Sequence, residues 1–220
     1  LEQGFSAAAL DANGVLYLAN FSGQLVRADG HGTIDVIDLG AIAPGARGVG
    51  TLFADTDGTI RIGVNGYTPS GYYAGLGIVE LPPGADPIFR SQSELGLPEI
   101  TTIASFARHG STLYIAAYGG AYRLGPSGAE PIGATTALWS DVAVCPDGTA
   151  LFVGLGGLGT LAPGGELSIQ NEEPVFGESV ASVACTASGD VLVGYGGRLL
   201  RRNAGATTFT SIDEQAEADV

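Results

Sequence analysis

Five times along the chain a glycine opens a short apolar segment and a second glycine closes it: Gly23–Gly30, Gly77–Gly84, Gly120–Gly128, Gly157–Gly164 and Gly197–Gly205. Successive opening glycines lie 54, 43, 37 and 40 residues apart. A period near 40 is the mark of a repeat architecture. One such unit cannot bury both faces of its own sheet, so neighbouring units must stack on one another.

Composition narrows the reading. Hydrophobic residues make up 45% of the 220 residues and charged residues only 15%, so the chain can pay for an ordered core. The 36 glycines and 11 prolines follow no triplet period, which excludes collagen and leaves tight turns as their use. All nine basic residues are arginine and the net charge is −14. Nucleic-acid binding requires clustered positive charge to displace counterions. The one cluster, Arg198, Arg201 and Arg202, is small against that background, so neither nucleic acid nor an anionic membrane surface is expected as a partner. No apolar run is long enough to span a bilayer. The absence of an initiator Met and of a signal peptide reads as a mature or excised segment. An extracellular or periplasmic setting is the expectation.

Each repeat carries four strand-like pieces. The first is small and apolar: Ser6–Leu10, Gly50–Ala54, Ile103–Ala107, Val142–Cys145 and Ala181–Cys185. A polar turn follows, as in Asp11-Ala-Asn-Gly14 and Asp55-Thr-Asp-Gly58. The second strand ends in a small residue each time (Ala19, Gly63, Ala116, Gly154, Gly194), which lets adjacent sheets approach closely. The third is the glycine-bounded segment, and the fourth is more polar. Ser93–Leu97 reads as a single helical turn. The pattern predicts an all-β, five-bladed β-propeller with four antiparallel strands per blade. Blades fall at about 4–40, 48–91, 101–134, 140–171 and 179–213, in one domain spanning 1–213 with an acidic tail over 214–220. Blade one would pack on blade five, and the product would be a monomer.

Cys145 and Cys185 hold equivalent places in adjacent repeats. Equivalent sites in neighbouring blades would often lie beyond the ~7 Å Cα limit for a disulfide, so buried free thiols are expected.

The stretch Ala9-Leu-Asp-Ala-Asn-Gly-Val-Leu-Tyr-Leu-Ala19 resembles an NHL-type strand–turn–strand. The turn–strand–glycine pattern as a whole resembles the NHL, two-component-regulator propeller and SMP-30-like group over the full chain. The resemblance implies a propeller scaffold; its motifs are structural, and a scaffold alone assigns no activity.

Apparent chemical motifs dissolve on inspection. Gly154-Leu-Gly-Gly-Leu-Gly159 spells a dinucleotide fingerprint, but Thr160-Leu-Ala-Pro-Gly-Gly after it cannot start the required helix. A hairpin is expected there. The Asp-x-Asn-Gly and Asp-x-Asp-Gly turns lack the spacing of a calcium loop. His31 and His109 lie in different repeats with no partners for zinc. No metal, no cofactor and no catalytic set is expected.

What remains is one face. In a propeller the loops joining strands two and three share a face with the crossings between blades. There the chain places Phe21, Tyr118, Leu155 and Tyr195, with Trp139, Asp141 and Arg47 in crossings. The one large insertion, Asn65–Leu76, lies there too and carries Tyr67, Tyr72 and Tyr73. Tyr and Trp supply contact area at low entropic cost and keep a polar handle. The reading is a non-catalytic binding propeller whose ligand, a glycan, a peptide or a protein, meets Tyr67, Tyr72, Tyr73, Tyr118, Trp139, Asp141, Tyr195 and Arg47. The alternatives are a lyase, lactonase or glycosidase using Asp141, Glu99, Glu172 and Arg47 at that face, or a structural module of a longer exported protein.

Overall fold

The structure is a computed structural model that describes residues 4–67, 71, 73–99, 101–133, 137–155, 157–170, 180–195 and 197–212. The described residues form strands and two complete single helical turns. The first four strands, β1 (Phe5–Leu10), β2 (Leu16–Asn20), β3 (Gln24–Ala28) and β4 (Ile34–Asp38), form one antiparallel sheet in sequence order. The next four, β5 (Ala46–Ala54), β6 (Ile60–Tyr67), β7 (Tyr73–Leu81) and β8 (Ile88–Ser91), form a second.

β9 (Thr102–His109), β10 (Thr112–Tyr118), β11 (Gly120–Gly125) and β12 (Gly128–Ile132) repeat the pattern. So do β13 (Leu138–Val144), β14 (Ala150–Leu155), β15 (Gly157–Leu161) and β16 (Leu167–Gln170). These two groups share an eight-stranded sheet through a single pairing, Tyr118 with Leu138. β17 (Val180–Cys185), β18 (Val191–Tyr195), β19 (Arg198–Arg202) and β20 (Thr210–Ser211) close the series.

The helical turns follow β4 and β8. Asp38 caps α1 (Leu39–Ile42), its side chain accepting from Gly40 N at 2.9 Å. α2 (Gln92–Leu95) begins with a capping box between Ser91 and Glu94 and ends at Gly96 in the left-handed conformation. The backbone N–H and hydroxyl of Ser91 hold the Glu94 carboxyl below the usual carboxylate range.

The chain divides into two compact units, Leu1–Ser105 with Pro126–Ala129 and Phe106–Gly125 with Glu130–Val220, a division that runs through β9 and β12. In the first, Ala19, Leu25, Leu39, Val49, Ile60, Ile62 and Val64 pack between the β1–β4 and β5–β8 sheets. Close approach is secured at Gly63, where a Cβ would stand 3.1 Å from Thr51 Cγ2 and 3.2 Å from Ile103 Cβ. The small residue expected at the end of the second strand does serve sheet contact here. In the second unit, one cluster joins Tyr114, Ala116, Trp139, Val142 and Phe152, and another joins Leu151, Val153, Leu158, Val183, Val191 and Val193.

Two expectations fail in this second unit. Cys145 and Cys185 form a disulfide with Cα atoms 5.1 Å apart. The expected separation was too large because strands β13 and β17 run close together: Asp141 Oδ2 accepts directly from Val183 N at 2.9 Å. The second failure concerns Trp139. β13 begins at Leu138, four residues ahead of the expected Val142, so Trp139 is a strand residue rather than part of a crossing. It is 1% exposed and packs 5.9 Å from the Phe152 ring. Its indole also fills the space over Gly159, where a Cβ would stand 2.9 Å from Cη2. That glycine of the GxGxxG string is needed for tryptophan packing, and the string is the β14–β15 hairpin that was expected.

Candidate binding surface

In the long hairpin of the first unit the described residues on either side are strand as far as Tyr67 and Tyr73. β6 and β7 pair through Asn65 with Gly75, Gly66 with Ala74 and Tyr67 with Tyr73, one register shift falling between Val64 and Asn65. Its base is mounted against backbone. The space a side chain would need at Gly66 is filled by the Gly45 carbonyl, and that at Gly75 by the Thr101 carbonyl. A cross-strand aromatic pair is thereby presented on a rigid support. The Tyr67 and Tyr73 rings meet edge to face, 5.5 Å between centroids at 76°, and both remain more than half exposed, at 60% and 56%.

Tyr73 also reaches across β5. A Cβ at Gly48 would stand 2.6 Å from the Tyr73 hydroxyl and 3.5 Å from the Phe21 carbonyl oxygen. The β2–β3 turn that carries Phe21 is set by Asn20, whose buried Oδ1 accepts from Ser22 N at 3.0 Å and Gln24 N at 2.9 Å. Phe21 itself is 66% exposed. Arg47, on β5 rather than in a crossing, is exposed, and its backbone runs beside the same turn: a Cβ at Gly23 would stand 3.7 Å from the Arg47 carbonyl carbon. Among the described residues its guanidinium meets only the Ala46 carbonyl, at 3.4 Å. Arg27 and Arg61 in this unit are ion-paired instead. The exposed Tyr67–Tyr73 pair thus lies close to the backbone of the turn that carries Phe21, with exposed Arg47 on the adjoining strand.

Behind the hairpin base is a cavity of about 440 Å³, lined by Leu76, Phe89, Gln92, Ser93, Leu97 and Glu99 among others. Its walls are mostly apolar, and Glu99 is exposed.

In the second unit the expected residues take several roles. Tyr118 is 48% exposed and stands in a cross-strand row with Leu138 and Leu155, both also exposed. Tyr195 is half-buried against the Val183–Val193 cluster. Trp139 lies in the core, as described above. Asp141 is engaged with backbone: Oδ1 accepts from its own neighbour Val142 N and Oδ2 from Val183 N, both at 2.9 Å. Tyr72 and Glu172 lie outside the described residues.

A second cavity of about 480 Å³ lies beside the disulfide and is bordered by Arg202, Asp147 and Ser188. Burial lowers the Arg202 guanidinium pKa, and its carbon sits 5.1 Å over the Phe209 ring. Among the described residues no group of three His, Cys, Asp or Glu side chains could hold a metal.

The turn acids that suggested calcium loops close their own turns. Asp11 Oδ1 accepts from Asn13 N and Val15 N, and Asp57 Oδ1 from Thr59 N; in the matching turn of a later repeat Asp147 Oδ1 accepts from Thr149 N. The Thr149 bond holds the Asp147 carboxyl below its ordinary range.

No protein-family model matches this chain, and no curated protein matches it in sequence. The fold, however, is shared. Virginiamycin B lyase from Staphylococcus aureus superposes with a TM-score of 0.68 at 12% identity, over 96% of this chain and 70% of that one. The extracellular domain of a putative hybrid two component system from B. thetaiotaomicron gives 0.75 at 14%, over 96% and 28%. Regucalcin from Agrobacterium tumefaciens gives 0.64 at 15%, over 94% and 73%. These neighbours are β-propeller proteins, consistent with the NHL and SMP-30-like propeller group that the repeats resemble. The class of the fold is therefore an all-β repeat protein of propeller type.

Proposed function

We propose that this chain is a non-catalytic propeller of five four-stranded blades that recognises a polypeptide ligand through Phe21, Arg47, Tyr67 and Tyr73. The observation that carries this reading is the exposed Tyr67–Tyr73 pair on a hairpin whose base is locked against backbone. Exposed aromatic rings on a rigid mount, with an arginine beside them, have the composition of binding hot spots. Five successive groups of four strands support the blade count. A structure of YCF48 bound to D1 peptide is among the propeller neighbours, at 17% identity and TM-score 0.63, so the scaffold accommodates this mode of use.

Propeller neighbours also include a lyase and a gluconolactonase. The catalytic alternative needs converging acids, and the Asp141 carboxylate already accepts two backbone bonds. The disulfide supports an oxidising, extracytoplasmic setting.

The test is a peptide array and a glycan array probed with the wild-type protein and with a Tyr67→Ser/Tyr73→Ser variant. The expected result is selective peptide binding that weakens at least about tenfold in the variant. Binding to glycans alone would overturn the polypeptide ligand. Peptide binding unchanged in the variant would overturn the surface.

A further inference from the structure

We infer that the cavity beside α2 receives the alkylammonium side chain of a lysine in the bound peptide. The inference rests on the polypeptide reading above only for the ligand that presents the lysine.

The argument is one of hydrogen-bonding polarity. The cavity holds about 440 Å³, within the range of about 300–1,000 Å³ typical of small-ligand sites. Leu76, Phe89 and Leu97 supply apolar wall. Among the described residues no Arg, Lys or His lines it. Gln92 does, and it is 6% exposed. Its Nε2 donates to the Thr101 carbonyl. A carbonyl can only accept, so this bond fixes the amide orientation and leaves Oε1 as an acceptor beside the second Nε2 hydrogen. Among the described residues nothing donates to Oε1. Among the described residues the Ser93 hydroxyl bonds Ser91 Oγ alone, at 3.1 Å. Glu99 carries a carboxylate at the same cavity and makes no ion pair among the described residues.

The site therefore offers acceptors and a negative charge around an apolar interior. Its complement is a group with donors, positive charge and an aliphatic stem. Lysine has three N–H donors, no acceptor and a four-carbon stem that lies well along apolar surface. An acidic ligand would meet the like charge of Glu99. An uncharged aliphatic side chain would leave Gln92 Oε1 desolvated without a donor, which costs affinity.

The experiment uses Nα-acetyl-lysine N-methylamide as probe and the norleucine and glutamate derivatives as controls, read by NMR titration of the whole chain. The lysine probe is expected to shift the Gln92 side-chain amide and the Leu76 and Leu97 methyls saturably. Its binding should be about fivefold tighter than that of the norleucine probe, the preference an exposed carboxylate supports. Glu99→Gln should reduce that preference to under about twofold, with the rest of the spectrum unchanged as the check on folding. Raising salt to about 0.5 M should weaken the lysine probe and leave the norleucine probe unaffected.

Equal binding of the two probes, or a preference that survives Glu99→Gln, would overturn the inference. The Tyr67→Ser/Tyr73→Ser variant separates the two readings. If the lysine probe binds that variant normally while no peptide binds the wild type, the aromatic surface is wrong and the cavity stands. If peptides bind and the lysine probe does not, the cavity is wrong and the surface stands.

Discussion

A methyl group at position 48 would take the place now held by the Tyr73 hydroxyl, because a Cβ there would lie 2.6 Å from it. The clash is with the end of a side chain, so the fold can absorb it by turning the tyrosine away. Gly48→Ala should therefore lower peptide affinity severalfold while moving the urea midpoint little, and a paired titration and unfolding curve checks both. Arg61 presents the opposite case. It is 9% exposed and bonds Asp55, itself 4% exposed, together with Glu80 at 3.2 Å. Arg61→Met would leave Asp55 buried without its cation, and should cost about 3–5 kcal/mol in urea unfolding.

Asp190 governs an acid response. Its carboxylate accepts from Ala204 N at 2.8 Å and from Arg201 at 2.6 Å, and these bonds, the Ala204 one foremost, hold its pKa below the ordinary value. A depressed folded-state pKa stabilises the fold above the unfolded-state value, about 4. That stabilisation is lost as pH falls through the folded value. Melting temperature should thus drop below about pH 4, and the drop should be shallower in Asp190→Asn.

At this scale the sequence was least legible. Trp139 and Asp141 look alike to a reader of composition, polar-capable residues at a strand entrance. Burial of one and backbone capture of the other depend on where β13 starts, and a strand start is set by the partner strand β14.

Elements were more legible than residues. The excess in the first 54-residue interval pointed to Asn65–Leu76, and the described residues of that segment do form the extended ends of β6 and β7. Turn chemistry also carried through, since Asp11, Asp29 and Asp147 each accept backbone bonds that close the expected turns. The distance between strands in different sheets was not legible. It is set by side-chain volume across the interface, which is why the Cys145–Cys185 bridge escaped a local reading. The bridge links residues 40 apart, and in the loop-entropy account closing such a loop stabilises by roughly 4 kcal/mol. Reduction, or Cys145→Ser with Cys185→Ser, should lower the urea midpoint accordingly, and a thiol assay of the unreduced, denatured protein should find none.

At the scale of the whole molecule, the decisive surface is the far side of the first sheet. Residues directly paired across antiparallel strands share a face. Ala8, Leu18, Val26 and Val36 are one such row, and Leu10, Leu16, Ala28 and Ile34 are the next. Every member is apolar, and all belong to the face opposite the one that packs on β5 and β6. Leu10, Ile34 and Val36 are 63%, 67% and 58% exposed. In a repeat array such a face is the seat of a neighbouring repeat. If a blade covers it, Leu10→Asp places a carboxylate in an apolar contact and should destabilise by roughly 2–3 kcal/mol. If the face stands in water, the same substitution should fall within about 0.5 kcal/mol of neutral, as exposed positions do. Urea unfolding of Leu10→Asp beside wild type decides between the two, with the lower midpoint expected. A neutral result would remove the propeller closure on which the five-blade proposal depends, while leaving the hairpin surface of the first unit untouched.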